Sequence, residues 1–308
     1  MTAFAFVRSW IKASRLTSQS YIALPLIMGQ VMAWHITGEW SWAIFAVVQS
    51  FGLFDQLYII YANDYADQET DRDNRTPTIF SGGSRVLVEG SIAPQTLAKA
   101  AIVMAGLAMG MALVLALVWQ RFWAVPLAAL GLLLLWGYSY HPIRLSYRGW
   151  GEFLQMVGVG AVLPLLGYLA QAGSFQGFGW PLLAALLPLS LATAISTALP
   201  DRASDDRAYK RTVPVRFGSV FATRLVIVLN ALGLVAFVIF FHEFAMGACM
   251  FARVFFGVSI LALIALLPLG PKAVPGSIAI VGFVFMSILV NLSWAGGYII
   301  ATLCAGWS

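Results

Sequence analysis

The chain has 308 residues, of which 60% are hydrophobic, 14% aromatic and only 10% charged, and its mean hydropathy is +0.85. A soluble globular domain is nearer half apolar and a quarter charged, so these proportions exclude an ordinary aqueous fold and predict an all-α polytopic membrane protein. The net charge of +5 is spread over several short connections, which speaks against a nucleic-acid groove and suits a membrane orientation signal.

Met1 to Ser18 mixes Arg8, Lys12 and Arg15 with Phe4, Phe6, Trp10 and Ile11. Without a small-residue cleavage site, that pattern predicts a retained amphipathic segment on the membrane surface. Apolar runs of spanning length follow at 20–37, 41–63, 97–119, 122–140, 152–172, 179–200, 219–241, 246–268 and 275–300. The expected architecture is therefore nine transmembrane helices, one membrane-embedded domain over 1–308, bundled around a central cavity that opens near the cytoplasmic side. The last run continues to Trp307 and reads either as one long tilted helix or as a helix with an interfacial tail. Gly158 and Gly160 suit close helix packing.

Orientation follows from the basic residues. With the N-terminus in the cytoplasm, only Arg121 and Arg253 of the 18 Lys and Arg fall on the opposite face. The connections after the second, fourth and sixth helices then lie in the cytoplasm and carry most of the polar chemistry. His35, His242 and Glu243 fall on the outer side and read as interfacial. Cys249 and Cys304 stand in apolar segments with no partner spacing, so neither a disulfide nor a zinc site is expected.

Two acidic stretches close the second and sixth helices: Asn63-Asp64-Tyr65-Ala66-Asp67-Gln68-Glu69-Thr70-Asp71-Arg72-Asp73-Asn74-Arg75, and Asp201-Arg202-Ala203-Ser204-Asp205-Asp206-Arg207-Ala208-Tyr209-Lys210-Arg211. On a helix Asp64, Asp67 and Asp71 share a face, as do Asp201 and Asp205. Like charges this close repel at a membrane boundary unless cations neutralise them. All-oxygen donors suit a hard divalent ion, and Mg²⁺ is commonly held by a few carboxylates together with substrate phosphates. Arg72, Arg75, Lys210 and Arg211 supply the cations that the remaining phosphate oxygens need. The ingredients are those of a metal-bridged diphosphate site; the bland alternative is a pair of solvated loops whose acids and bases pair with one another.

Asn63-Asp64-x-x-Asp67-x-x-x-Asp71 with Asp201-x-x-x-Asp205 and Lys210-Arg211-Thr212 resembles the paired signature of the UbiA-type intramembrane prenyltransferases. Ser81-Gly82-Gly83-Ser84-Arg85-Val86, Tyr147-Arg148-Gly149-Trp150-Gly151-Glu152 and Lys210-Arg211-Thr212-Val213-Pro214-Val215-Arg216-Phe217-Gly218 are similar to the dihydroxynaphthoate prenyltransferases of menaquinone biosynthesis. Asp206 and Tyr209 depart from that pattern, which carries a base and a glycine there.

The resemblance implies transfer of a prenyl chain from a polyprenyl diphosphate to a small aromatic acceptor, 1,4-dihydroxy-2-naphthoate first among them, in a bacterial or archaeal cytoplasmic membrane. It implies two Mg²⁺ ions on Asn63, Asp64, Asp67, Asp71, Asp201 and Asp205, with Lys210, Arg211, Arg75 and Arg72 on the leaving group. A ring attack on the allylic cation completes the transfer, coupled in the naphthoate case to loss of the ring carboxylate. Tyr140 and Arg144 match a tyrosine and a base that face the site in the family, Tyr140 shielding the cation and Arg144 reaching the diphosphate. The other reading of Tyr138 and Tyr140 is an interfacial aromatic belt. Ser84 and Arg85 either order the acceptor or cap a loop helix.

Asp55 and Gln56, two turns inside the second helix, line the pocket, pair within the bundle, for instance with Gln155 or Asn230, or take part in the chemistry. Glu152 reads as a dipole partner of the fifth helix, and His141 as a loop residue or a proton acceptor for the acceptor phenol. Rival functions are a terpene cyclase of the same superfamily, prenyl transfer to a non-quinone acceptor, and a cation-coupled transporter. Transport sites lie near the midplane, whereas these acids sit at helix ends among arginines.

Overall fold

The computed structural model describes residues 3–75 and 77–305. Met1 and Trp307 lie outside the described residues, as does the side chain of Glu243. Among the described residues the chain is helical throughout: α1 (Ala3–Ala13), α2 (Ser20–Thr37), α3 (Trp42–Ala66), α4 (Gln68–Asp73), α5 (Pro94–Trp119), α6 (Ala124–Ser139), α7 (Gly151–Val157), α8 (Leu163–Ala172), α9 (Leu182–Ala198), α10 (Arg202–Arg207), α11 (Val213–Phe217), α12 (Ser219–Phe240), α13 (His242–Gly247), α14 (Met250–Leu269) and α15 (Ile278–Ala305). A π-helical turn, Gly158–Val162, joins α7 to α8, so that Gly151–Ala172 runs as one rod.

Each predicted apolar run falls on helix. Six are long and apolar enough to cross a membrane: Trp42–Ala66, Pro94–Trp119, Gly151–Ala172, Ser219–Phe240, Met250–Lys272 and Ile278–Ala305. Ala124–Ser139 and Leu182–Ala198 are apolar but shorter. α1 leaves Phe4, Val7 and Ile11 exposed at i, i+3 and i+7, an apolar stripe along one face. Its Lys12 pairs with Glu89 at 2.5 Å, and the chain then turns into α2 through Arg15, whose φ is 42°.

α2 is the hub of the bundle, packed against α3, α8 and α15, while α9 packs against α7, α12 and α15. Two glycines make the α2–α8 contact possible. A Cβ on Gly29 would lie 2.0 Å from the Pro164 carbonyl oxygen, and one on Gly167 would lie 2.2 Å from that of Leu26. Small residues let backbones approach in this way where the lipid offers no hydrophobic drive to associate.

Because successive long helices run antiparallel, the ends of α3, α6 and α9 and the starts of α7 and α12 gather at one end of the bundle. Cys249, before α14, and Cys304, in the last turn of α15, therefore fall at the opposite end. There they form a disulfide with a Cα–Cα distance of 6.4 Å, which corrects the expectation of no bridge. Sequence spacing hid it because 55 residues separate the two; the antiparallel α14–α15 pair closes that gap.

Candidate active site

The two acidic stretches meet. α3 ends at Ala66, and Asp67 caps it by donating its backbone N–H to the Asn63 carbonyl before α4 carries Asp71 onward. From the other motif, Asp201 stands at the start of α10 and Asp205 within it. Asp201 Oδ1 accepts from Asn74 Nδ2 at 2.7 Å, and Asp201 also takes the backbone N–H of Gly82 and the Ser81 side chain. Arg207 donates to the Asp73 carbonyl at 2.8 Å. Asn74 and the 77–84 stretch thus lie against both motifs and fasten them together.

Lys210 closes the junction. Its Nζ lies 2.7 Å from Asp67 Oδ2 and 3.8 Å from Asp205 Oδ1, and all three side chains are buried. Burial works against the ammonium, but Asp67, Tyr138 and Asp205 outweigh it and hold the Lys210 pKa above its ordinary value. The carboxylate values rise as well, which in their case favours the neutral form. Burial, with Asp67, Asp64 and Asp201 beside it, raises Asp71 to about 8. Burial also raises Asp205 to about 7 and Asp201 to about 6, with Lys210 holding both down. One lysine among so many acids leaves the layer short of positive charge.

Gly83 sits in the middle of this arrangement at φ 65°. A Cβ there would fall 2.1 Å from Asp71 Oδ2 and 3.1 Å from Asp64 Oδ1, so only glycine lets the loop close over both carboxylates. The next residue, Ser84, donates its backbone N–H to Asp64 Oδ2 at 3.0 Å. Asp64 Oδ1 is buried without a hydrogen-bond partner, an oxygen left for a cation. Among the described residues no three His, Cys, Asp or Glu side chains stand close enough to hold a metal by themselves. A Mg²⁺ here needs substrate oxygens to complete its shell, which is how that ion is usually bound with phosphates. Within those terms the donors fit.

The other predicted residues divide. Arg85 Nη1 donates to the Asp71 carbonyl at 2.5 Å, so it braces the loop that carries the acids. Asn63 Oδ1 accepts from Ser139 at 3.2 Å. Arg72, Arg75 and Arg211 are exposed at the same end of the bundle. Arg144 stacks on the Tyr147 ring, 3.6 Å from its centroid, and Lys210 approaches that ring at 5.8 Å. The Tyr140 hydroxyl donates to the Ala62 carbonyl at 2.7 Å, tying α6 to α3. Tyr138 is the tyrosine within electrostatic reach of Lys210, Asp67, Glu152 and Asp205.

Glu152 accepts the Val213 N–H at 2.7 Å and so tethers the segment after Lys210, rather than only balancing the α7 dipole. Gln56 bonds Ser18 at 3.0 Å. Asp55 Oδ1 has no partner, and Asn230 is spent on Val226 and Ser287, so Asp55 does not pair with it. His141 Nε2 contacts Arg144 Nη1 at 3.1 Å.

Arg15 was not among the predicted site residues, yet its charge reaches Asp64 and Asp201. The signal for it was only a lone arginine between α1 and α2. Tyr209, where the resemblance expects glycine, takes φ 60° and is 85% exposed. That left-handed backbone is what a glycine would serve.

Residues 22–274 match the model of the UbiA prenyltransferase family. The chain is 27% identical over 199 residues to a 2-carboxy-1,4-naphthoquinone phytyltransferase of Synechocystis sp., a match covering 63% of this chain and 60% of that relative. Among solved structures, the apo form of a UbiA homologue from Aeropyrum pernix K1 superposes with a TM-score of 0.69 at 18% identity, covering 94% of this chain and 98% of that one. A UbiA homologue from Archaeoglobus fulgidus bound to GPP and Mg²⁺ gives 0.65 at 16% identity, covering 97% and 100%. At these identities the structural likeness establishes the fold.

Proposed function

The chain belongs to the UbiA prenyltransferase family, and on that premise we propose that it transfers a prenyl chain from a prenyl diphosphate to 1,4-dihydroxy-2-naphthoate or a close hydroxy-arene. The observation that supports this reading is the meeting of Asp67, Asp71, Asp201 and Asp205 around Lys210 and Gly83. The named activity of the Synechocystis relative supports the choice of a naphthalene acceptor. The substrate-bound Archaeoglobus structure supports a prenyl diphosphate with Mg²⁺ as the other half of the pair.

Asn63, Asp64, Asp67, Asp71, Asp201 and Asp205 would hold Mg²⁺, two ions in all, and the metal supplies positive charge to the diphosphate as its C–O bond weakens. Lys210 and Arg15 add fixed positive charge at the same layer, and Arg72, Arg75, Arg144 and Arg211 draw the anionic substrate to that end of the bundle. Gly83 and Ser84 fix the carboxylate positions, so little reorganisation is left for the reacting complex. Tyr138 and Tyr140 stand at the apolar margin of the layer, where an aromatic face suits an allylic cation. In this reading the chain crosses the membrane nine times with its N-terminus in the cytoplasm, and the chemistry would lie at the inner surface of a bacterial or archaeal membrane.

The test uses purified full-length protein with Mg²⁺, a labelled prenyl diphosphate and a panel of hydroxy-arenes. Pyrophosphate release coupled to a prenylated naphthoquinol is the expected result, abolished in Asp67→Ala and Asp205→Ala variants that keep their thermal transition. Full turnover in those variants contradicts the assignment, and acceptor-independent pyrophosphate release shifts it to a cyclase.

A further inference from the structure

Beneath the carboxylates lies a second set of polar side chains, in a layer that should be apolar. α9 carries Ser190, Thr193 and Thr197 at i, i+3 and i+7, which is one helix face, and the chain leaves the helix at Ala198 shortly before Asp201. Thr193 stands about 8 Å of helical rise before the end of α9 at Ala198. On α7, Gln155 stands one turn inside Glu152, and Tyr21 lies in the first turn of α2. Asn291 of α15 donates to Thr193 Oγ1 at 3.3 Å.

Thr193 is satisfied, its Oγ1 also donating to the Leu189 carbonyl at 3.0 Å, but two hydroxyls beside this pair are not. The Tyr21 hydroxyl faces Gln155 and Thr193 from a buried position but completes a hydrogen bond to neither. Ser190 is wholly buried and its Oγ has no partner. A Cβ on Gly160, in the π-helical turn, would come within 3.1 Å of that Oγ. Buried hydroxyls left unpaired cost stability, so their persistence asks for a ligand. π-helical turns inside helices are often found at functional sites.

We propose that Tyr21, Gln155, Ser190, Thr193 and Asn291 form the binding site for the aromatic acceptor, taking an uncharged ring hydroxyl. The inference rests on the prenyl-transfer reading and names where its second substrate sits. The set contains hydroxyls and amides and no charge, which suits a phenol or quinol rather than a phosphate. Its depth also fits, because a ring held there would stand on the membrane side of the acidic layer, away from the diphosphate.

The experiment measures steady-state kinetics of the full chain with 1,4-dihydroxy-2-naphthoate and with analogues lacking one ring hydroxyl. Tyr21→Phe and Thr193→Val each remove one hydrogen-bonding group, and each is expected to raise the acceptor KM about tenfold. The prenyl diphosphate KM stays as in the wild type, and the variants lose their preference for the hydroxylated ring. Gln155→Leu serves as the third variant if either of the others fails to fold. Wild-type acceptor KM in all variants, or an equal rise in both KM values, overturns the site alone. Wild-type protein that releases pyrophosphate but prenylates no hydroxy-arene overturns the functional reading and this site with it.

Discussion

Lys210 Nζ lies 2.7 Å from Asp67 Oδ2 across 143 residues of sequence. It is a buried ion pair, and buried pairs are costly to break by halves because the remaining charge is stranded. Lys210→Met leaves Asp67 and Asp205 facing each other with no ammonium between them. The expected loss is about 3 kcal/mol of stability in EDTA, and a smaller one in Mg²⁺, whose charge replaces the lysine's. Thermal melts of wild type and variant in the two buffers check this; equal losses in both would show that Lys210 does not share its place with a cation.

Gly83→Ala drives a methyl group into the Asp71 carboxylate, given the 2.1 Å approach of its ideal Cβ. A catalytic group displaced by about 1 Å costs about 100-fold in rate, and that is the expected fall in kcat/KM. Gly90→Ala is the control, since Gly90 has φ 68° with nothing within 4 Å. It carries the same backbone strain and should keep its turnover. Comparable losses in both variants would assign the effect to backbone strain alone.

Asp71, Asp201 and Asp205 hold their protons to about pH 8, 6 and 7. Their folded values are raised above the ordinary carboxylate value, so the stability they contribute is present at low pH and drains away as pH rises through 6 to 8. Mg²⁺ competes with those protons. The melting temperature in EDTA should therefore fall between pH 6 and 8, and the increase on adding Mg²⁺ should be larger at pH 8 than at pH 6. A larger increase at pH 6 would contradict a carboxylate metal site.

The Cys249–Cys304 bridge and the acidic layer occupy opposite ends of the bundle. With the acids facing the cytoplasm, the disulfide faces the compartment where such bonds persist. In intact cells an impermeant reductant followed by an impermeant maleimide should label both cysteines without lysis. Labelling that requires lysis would reverse the orientation.

How much of this was legible beforehand depends on the range of the interaction. Hydropathy marked every long helix, because a run of apolar side chains long enough for a bilayer is a local property. The grouping of Asp64, Asp67 and Asp71, and of Asp201 and Asp205, was legible as a local property of two short stretches. The one-helix face expected for each was not, since α3 ends at Ala66 before α4 restarts at Gln68, and Asp201 precedes α10. Tertiary packing alone decided the rest. It sent the Tyr140 hydroxyl to Ala62 and brought Tyr138 toward Lys210. It also placed Arg15 near Asp201 and joined Asn74 to Asp201 across 127 residues. Such contacts depend on how whole helices seat against one another through points like Gly29 and Gly167, and no spacing within a single helix encodes that.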